Sequence, residues 1–202
     1  MWREMWRPSP AQFLKLVAGL WIFGTGEGLL VHSGLGNSPW VVLSEGVSEH
    51  TPLAVGMATV VISFLVLLCW IPLVQLPGFG TVANAIVIGV AIDVMLPLYP
   101  DTGFVGDLAW VFLGIGLVAV GSGLYLTTRL GPGPRDGLMT GLNRRTGRSL
   151  RLVRTGIEAS ALIAGFALGG TVGFGTLAFA LLIGPGVQAA VGFVDRGEER
   201  PL

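Results

Sequence analysis

Two carboxylates stand inside long apolar runs. Glu27 lies in Gly24-Thr25-Gly26-Glu27-Gly28, and Asp93 lies in Val90-Ala91-Ile92-Asp93-Val94. Neither has a Lys or Arg three or four residues away to neutralise it on the same helix. An ionisable group in such surroundings needs another helix, water, a solute or a coupling proton as its partner, and is a functional candidate by default. Glu158 differs: Arg154 stands four residues before it, the spacing of an ion pair along one helical face, so that pair reads as structural. Further polar candidates gather where the chain is broken. Leu35-Gly36-Asn37-Ser38-Pro39 and Leu130-Gly131-Pro132-Gly133-Pro134 each follow an apolar run, and the second continues into Arg135 and Asp136. Pro39 and Pro134 suit the first turn of a helix, where no amide donor is missed. A helix start of this kind offers free amides to anionic or carbonyl groups. Asn37, Ser38, Arg135, Asp136 and Gln188 therefore join Glu27 and Asp93 as candidates for binding a solute or a proton.

Other chemistries find no residues. There is no Ser-His-Asp set, no His-Glu-x-x-His and no paired cysteine, so no catalytic residue, metal site or cofactor is expected. His32 and His50 are isolated near span ends and read as interfacial polar groups. Net charge is zero, which gives nucleic acid no basic face to bind.

The elements that must position these residues are membrane helices. Hydrophobic residues make up 52% of the 202 and charged residues only 12%, with mean hydropathy +0.75. A soluble domain carries about 25% charge. Six apolar runs, at 11–32, 53–75, 80–98, 105–128, 148–170 and 175–194, each have a length suited to crossing a bilayer as a helix. The first contains Glu27 and lacks a small-x-small cleavage site, unlike a signal peptide. Cys69, the single cysteine, falls inside the second run. The tryptophans fall mostly near run ends, as an aromatic belt does.

Basic residues set the expected orientation. Arg3, Arg7 and Lys15 lie at the N-terminal end, Arg129, Arg135, Arg144, Arg145 and Arg148 follow the fourth run, and Arg196 and Arg200 end the chain. The segments after the first and third runs hold Glu45, Glu49, Asp101 and Asp107 and no Lys or Arg. Six crossings put every basic segment on one side, so both termini are expected in the cytoplasm.

The chain also repeats itself. An ungapped shift of 95 residues matches 21 of 75 pairs between 19–93 and 114–188, against about 6 expected by chance for so skewed a composition. Gly26, Gly28 and Leu29 match Gly121, Gly123 and Leu124; Gly78-Phe79-Gly80-Thr81 matches Gly173-Phe174-Gly175-Thr176. Repeat one covers 1–104 with a short helix at 38–49, and repeat two covers 105–202 with a short helix at 134–146. Three spans per repeat is odd, so the copies are expected to cross in opposite directions, an arrangement recurrent in secondary transporters. The expected fold is an all-α membrane protein of two inverted three-helix repeats. The short helix of each either re-enters the membrane or lies on its surface: the first is the more apolar, and the second carries four charges. Asp93 pairs with Gln188 across the repeat, and Glu27 pairs with Ser122.

The Leu-Gly-x-x-Pro turn after the first span, the related turn after the fourth, and Gly-Phe-Gly-Thr resemble the YczE-like bacterial membrane proteins, relatives of the YitT group. The resemblance covers nearly the whole chain and implies a multi-pass protein of the bacterial inner membrane; it carries over no catalytic residue. Two functions stay open. One is a small-solute transporter or permease with its site at the repeat interface. The other is a non-transporting regulator or scaffold acting through the Arg-rich cytoplasmic segment. The expected partners are the lipid bilayer and an unknown small solute, with self-association into a homo-oligomer left open. The excess of acidic over basic candidates in the spans favours a cation or a proton-coupled neutral solute.

Overall fold

The computed structural model describes residues 2–198, and side chains as far as 195; Arg196 and Arg200 of the orientation argument fall outside these. Among the described residues the chain is helical throughout, with no strand. The helices are α1 (Pro10–Ser33), α2 (Pro39–Ser48), α3 (Val55–Leu68), α4 (Phe79–Met95), α5 (Gly103–Leu126), α6 (Pro134–Thr146), α7 (Leu150–Ala167) and α8 (Phe174–Glu198). Their ends follow local chemistry. Ser9 and Gln12 form a reciprocal capping box ahead of Pro10, and Gly34 closes α1 at φ +63°. Pro39 and Pro134 open α2 and α6, as the two breaks predict.

Four helical stretches are long and apolar enough to cross a membrane: Pro10–Ser33, Phe79–Leu98, Gly103–Leu126 and Phe174–Asp195. The other two expected spans are shorter than the sequence suggests. α3 has 14 residues where 53–75 was expected, about 21 Å of rise against about 30 Å of hydrocarbon. It stops because Pro72 cannot donate to Leu68, and its ring crowds the preceding turn. Cys69 thus sits exposed at the end of α3, not inside a span. α7 has 18 residues and carries Arg151, Arg154 and Glu158 in its first half.

The packing obeys the 95-residue offset. α1 and α5 run antiparallel with their backbones nearly touching at two places. A Cβ added to Gly26 would fall 2.6 Å from the Gly114 carbonyl oxygen, and one on Gly114 would fall 2.7 Å from that of Gly26. The same occurs between Gly19 and Gly121. Gly19 matches Gly114 and Gly26 matches Gly121, so each contact is the other with the two copies exchanged, as in a self-complementary dimer interface. Around this seam the core joins Leu16, Leu20 and Phe23 of α1 to Ile88 and Ile92 of α4, Ile115 and Val118 of α5, and Phe179 of α8.

At both ends of the seam the turn of one copy docks on Gly-Phe-Gly-Thr of the other. Gly80 N donates to Leu130 O at 2.9 Å, and Gly175 N donates to Leu35 O at 2.8 Å. Gly36 and Gly131 hold φ near +114° and +119°, and a Cβ on either would strike Thr176 Oγ1 or Thr81 Oγ1. α2 packs on α7 and α6 on α3, so each short helix also leans on the opposite copy.

α2 buries Trp40, Val41, Val42, Ser44 and Gly46, in keeping with its apolar sequence. α6 is divided: Pro134, Gly137 and Met139 are buried, whereas Arg144 and Arg145 are exposed. Its charges alone suggest the surface, but its first turn enters the bundle because Gly137 admits the Trp70 ring, whose Nε1 donates to Pro134 O at 2.9 Å.

Gly121→Ala is expected to destabilise the protein by roughly 1–3 kcal/mol, since the methyl meets backbone that cannot yield. Gly116→Ala, where an added Cβ meets nothing within 4 Å, should be neutral or mildly stabilising. Thermal unfolding of the two variants in detergent checks the contrast, and equal melting points would refute the close seam.

Candidate functional site

Residues from seven helices and the turn before α6 surround a cavity of about 260 Å³. Phe23 projects from α1, Ser122 and Tyr125 from α5, Arg135 and Asp136 from the first turn of α6, and Trp40 from the start of α2. Asn84 of α4 and Gln188 of α8 contribute amides, and Arg154 and Glu158 of α7 line the edge. Three lining pairs, Phe23 and Val118, Trp40 and Arg135, and Asn84 and Phe179, are related by the 95-residue offset. The cavity is thus lined by equivalent positions of the two copies under that offset.

One difference between the copies keeps it open. In repeat one, α3 lies tightly on α4 through Gly56 and Gly89, each touching the other's backbone. In repeat two, α7 does not pack along α8 among the described residues. Gly56 is replaced by Arg151, and Gly184, the match of Gly89, faces open space. Pro185 also interrupts the α8 hydrogen-bond ladder beside the cavity. The missing helix contact is the space that Arg154, Glu158, Gly184 and Gln188 line.

Arg135 dominates the cavity. Its guanidinium carbon lies 5.8 Å from the Phe23 ring centre and 5.7 Å from that of Trp40, within cation–π range of both. Among the described residues it makes no hydrogen bond or ion-pair contact. Beside it, Tyr125 donates its hydroxyl to Asp136 Oδ2 at 2.7 Å. Asn84 and Ser122 are 7% and 5% exposed, yet neither side chain has a partner in the protein among the described residues. The Trp40 indole N–H is also buried and unpartnered. Polar groups without protein partners that open onto one cavity mark a place for water or a ligand.

The sequence comparisons agree with the motifs. Residues 11–191 match the model of a family of unknown function, DUF6198. The chain belongs to this family. It is 40% identical over 194 residues to an uncharacterized protein of Haemophilus influenzae, covering 96% of this chain and 89% of that one. It is 34% identical over 176 residues to the uncharacterized membrane protein YczE of Bacillus subtilis, covering 83% and 79%. It is 31% identical over 183 residues to the uncharacterized protein YyaS of the same species, covering 88% and 91%. No solved structure matches. With its four long apolar helices, this DUF6198 chain is an all-helical membrane protein of the YczE-like group.

The sequence candidates separate into three places in this DUF6198 fold. Arg135, Asp136 and Gln188 line the cavity together, Gln188 exposed at its mouth. Arg154 Nε donates to Glu158 Oε1 at 3.0 Å on the edge. With side chains 50% and 34% exposed, that pair stabilises the helix by only about 0.3–0.5 kcal/mol.

Glu27 and Ser38 form the second group. Glu27 is fully buried behind the cavity, and the Ser38 hydroxyl lies 2.8 and 3.0 Å from its two carboxyl oxygens. Ser38 immediately precedes α2, so the carboxyl is pinned at that helix's positive end. Arg135 is the cation whose charge acts on it.

Asn37 and Asp93 stand apart from the cavity. Asn37 Nδ2 donates to Glu45 Oε2 at 2.8 Å; Thr171 completes the cluster, its amide bonding Oε2 at 2.6 Å and its hydroxyl Oε1 at 2.9 Å. The cluster ties the first turn to the loop before α8, with Asn37 Oδ1 left buried and unpaired. Asp93 has the inter-helix partner that the sequence demands: Gly56 N donates to Oδ1 at 2.7 Å and Met57 N to Oδ2 at 2.9 Å. It thereby caps the first turn of α3 from α4.

Sequence reasoning missed Phe23, Trp40, Asn84, Ser122 and Tyr125 as a group. Two signals were present: Ser122 is the match of Glu27, and Trp40 is the match of Arg135.

Asp93→Ala should lower stability by about 1–2 kcal/mol, the usual cost of losing a helix cap. Gln188→Ala, on an exposed site, should stay within about 0.5 kcal/mol of the parent. Unfolding in detergent measures both. A stability loss at Gln188 equal to that at Asp93 would contradict the assignment.

Proposed function

We propose that this protein is a small-solute transporter of the bacterial inner membrane, with its binding site in the cavity between the two repeats. The observation that carries the reading is the lining of that cavity: it joins equivalent positions of two copies of one sequence, and it holds polar side chains without protein partners. Secondary transporters built from inverted repeats bind substrate at the repeat interface, where discontinuous helices end. Here α2 and α6 are those helices, and both begin beside the cavity.

Six crossings in inverted orientation account for the contacts best. α1 and α5 are antiparallel, so the axis exchanging them is perpendicular to both, which is within the plane of a membrane they cross. The turn at 130 meets residue 80 at one end and the turn at 35 meets residue 175 at the other. Arg3, Arg7 and Arg129 belong to the first end, and Glu49, Asp101 and Asp107 to the second. α3 is short for a span, and the apolar turn after it, together with local thinning or tilt, makes up the difference. α7 packs on α2 and not along α8 among the described residues, and, bordering the open side of the cavity, it is the element suited to move with α2 when solute enters.

Purified protein in liposomes is expected to move at least one member of a metabolite panel. No flux for any member would leave the regulatory reading, for which Arg144, Arg145 and Arg148 are exposed and available. For the topology, a variant with Cys69→Ser and one new cysteine at Asp101 or Thr146 should react with an impermeant maleimide from opposite faces. Labelling of both sites from one face would overturn the six-crossing arrangement.

A further inference from the structure

We infer that the cavity takes a small zwitterion, an amino acid in chemical class, whose carboxylate binds Arg135 and whose ammonium group turns toward Asp136 and Glu158. The inference rests on the transport reading for its biology, but its evidence is the side-chain chemistry alone.

Arg135 is the first element. A guanidinium has five N–H donors in a planar fork matched to a carboxylate. In this cavity its guanidinium carbon lies within cation–π range of the Phe23 and Trp40 rings, and its N–H donors have no hydrogen-bond partner among the described residues. The rings hold the cation while leaving its hydrogen-bonding capacity unused. Asn84 and Ser122 add polar groups that open onto the same cavity. A carboxylate matches the Arg135 fork in charge and geometry, and Asn84 and Ser122 line the same cavity.

The acceptors give the second element. Asp136 uses Oδ2 for Tyr125, and Glu158 uses Oε1 for Arg154. Their other oxygens, Asp136 Oδ1 and Glu158 Oε2, have no hydrogen-bond partner among the described residues, although both residues line the cavity. An ammonium group has three donors to offer such atoms.

Charge balance is the third. Among the groups that line the cavity, Arg135 and Arg154 stand against Asp136 and Glu158, a formal sum of zero; Glu27, behind the lining, is a further carboxyl on which the charge of Arg135 acts. A simple anion or cation would bring a net charge into a low-dielectric site, at a cost that a neutral zwitterion avoids. Size then limits the class. A cavity of about 260 Å³ falls below the roughly 300–1,000 Å³ of pockets for drug-sized ligands, which leaves room for a solute on the order of ten non-hydrogen atoms.

The test uses the full-length protein in detergent, titrated calorimetrically with the standard amino acids. At least one small amino acid should bind. Its deaminated acid and its decarboxylated amine should each bind at least tenfold more weakly. Arg135→Gln, recovered as a monodisperse protein, should weaken amino-acid binding at least tenfold, and the exposed Arg148→Gln should leave it unchanged. If Arg135→Gln does not fold, phenylglyoxal modification of the parent protein decides instead. The bound amino acid should slow adduct formation at Arg135, read by peptide mass spectrometry, and not at Arg148. An amine that binds as tightly as its amino acid would overturn the inference; so would the absence of both binding and protection across the panel. The two readings fail separately. Amino-acid binding without liposome flux would remove transport and keep the zwitterion site. Flux of solutes lacking a carboxylate, undiminished in Arg135→Gln, would keep transport and remove the zwitterion site.

Discussion

The antiparallel contact of α1 with α5 is the constraint on which the other features depend. Two 24-residue helices touch backbone to backbone at Gly19–Gly121 and Gly26–Gly114. Side chains at any of the four positions would hold the helices apart. Because the contact exchanges equivalent residues, it also fixes an axis. With that axis set, the turn at 35 must meet Gly175 as the turn at 130 meets Gly80. The repeated Leu-Gly-x-x-Pro and Gly-Phe-Gly-Thr motifs are therefore two sides of one joint, used once at each end of the seam.

A symmetric frame of this kind would place identical groups on both sides of its centre. The chain breaks that equality residue by residue. Trp40 answers Arg135, Glu27 answers Ser122, and Asp93 answers Gln188. Each difference has a structural effect. Asp93 binds the start of α3 to α4, whereas Gln188 makes no such bond and stands at the cavity mouth. Gly56 allows α3 to approach, whereas Arg151 in its place belongs to a helix that stands off. The sequence repeats, and the cavity forms where repeated positions carry different residues.

Much of the frame was legible in the sequence because backbone geometry restricts residue choice. Gly36 and Gly131 need positive φ and close approach, Pro39 and Pro134 need a first turn, and both leave a readable pattern. The ends of α3 and the partner of Asp93 were harder to read. Pro72 was the sign that α3 ends near Leu68, overlooked inside an otherwise apolar run, and no pattern along one helix names a capping acceptor on another. The cavity was legible only in part. Arg135, Asp136 and Gln188 could be singled out as polar groups in apolar surroundings. Phe23 and Trp40 could not, since an aromatic residue that stacks on a cation and one that packs in a core look alike in sequence. The acidic excess of the spans also pointed toward a cationic solute. The structure changes that balance, because Glu27 is held by Ser38 and Asp93 by two amides, while Arg135 has no such partner.

Magnitudes bear on why an unpaired arginine persists at the centre of this bundle. Two cation–π contacts contribute on the order of 1–4 kcal/mol together. A fully buried charge deprived of its partner costs about 3–5 kcal/mol, and the partly exposed Arg135, whose charge also acts on Glu27, bears less than that. The aromatic rings thus offset the penalty in large part without removing it, and access to water past the exposed Gln188 and the half-exposed Arg154 supplies the remainder. An ion pair with Asp136 would lower the energy of the empty site further. Arg135 and Asp136 are consecutive on α6 and do not face each other, and Tyr125 holds Asp136 Oδ2 with its hydroxyl. A solute that brings its own carboxylate then gains the interaction the protein has not made with itself. Binding energy of that origin depends on the solute being present, which is what a site must have if it is to be filled on one side of a membrane and emptied on the other.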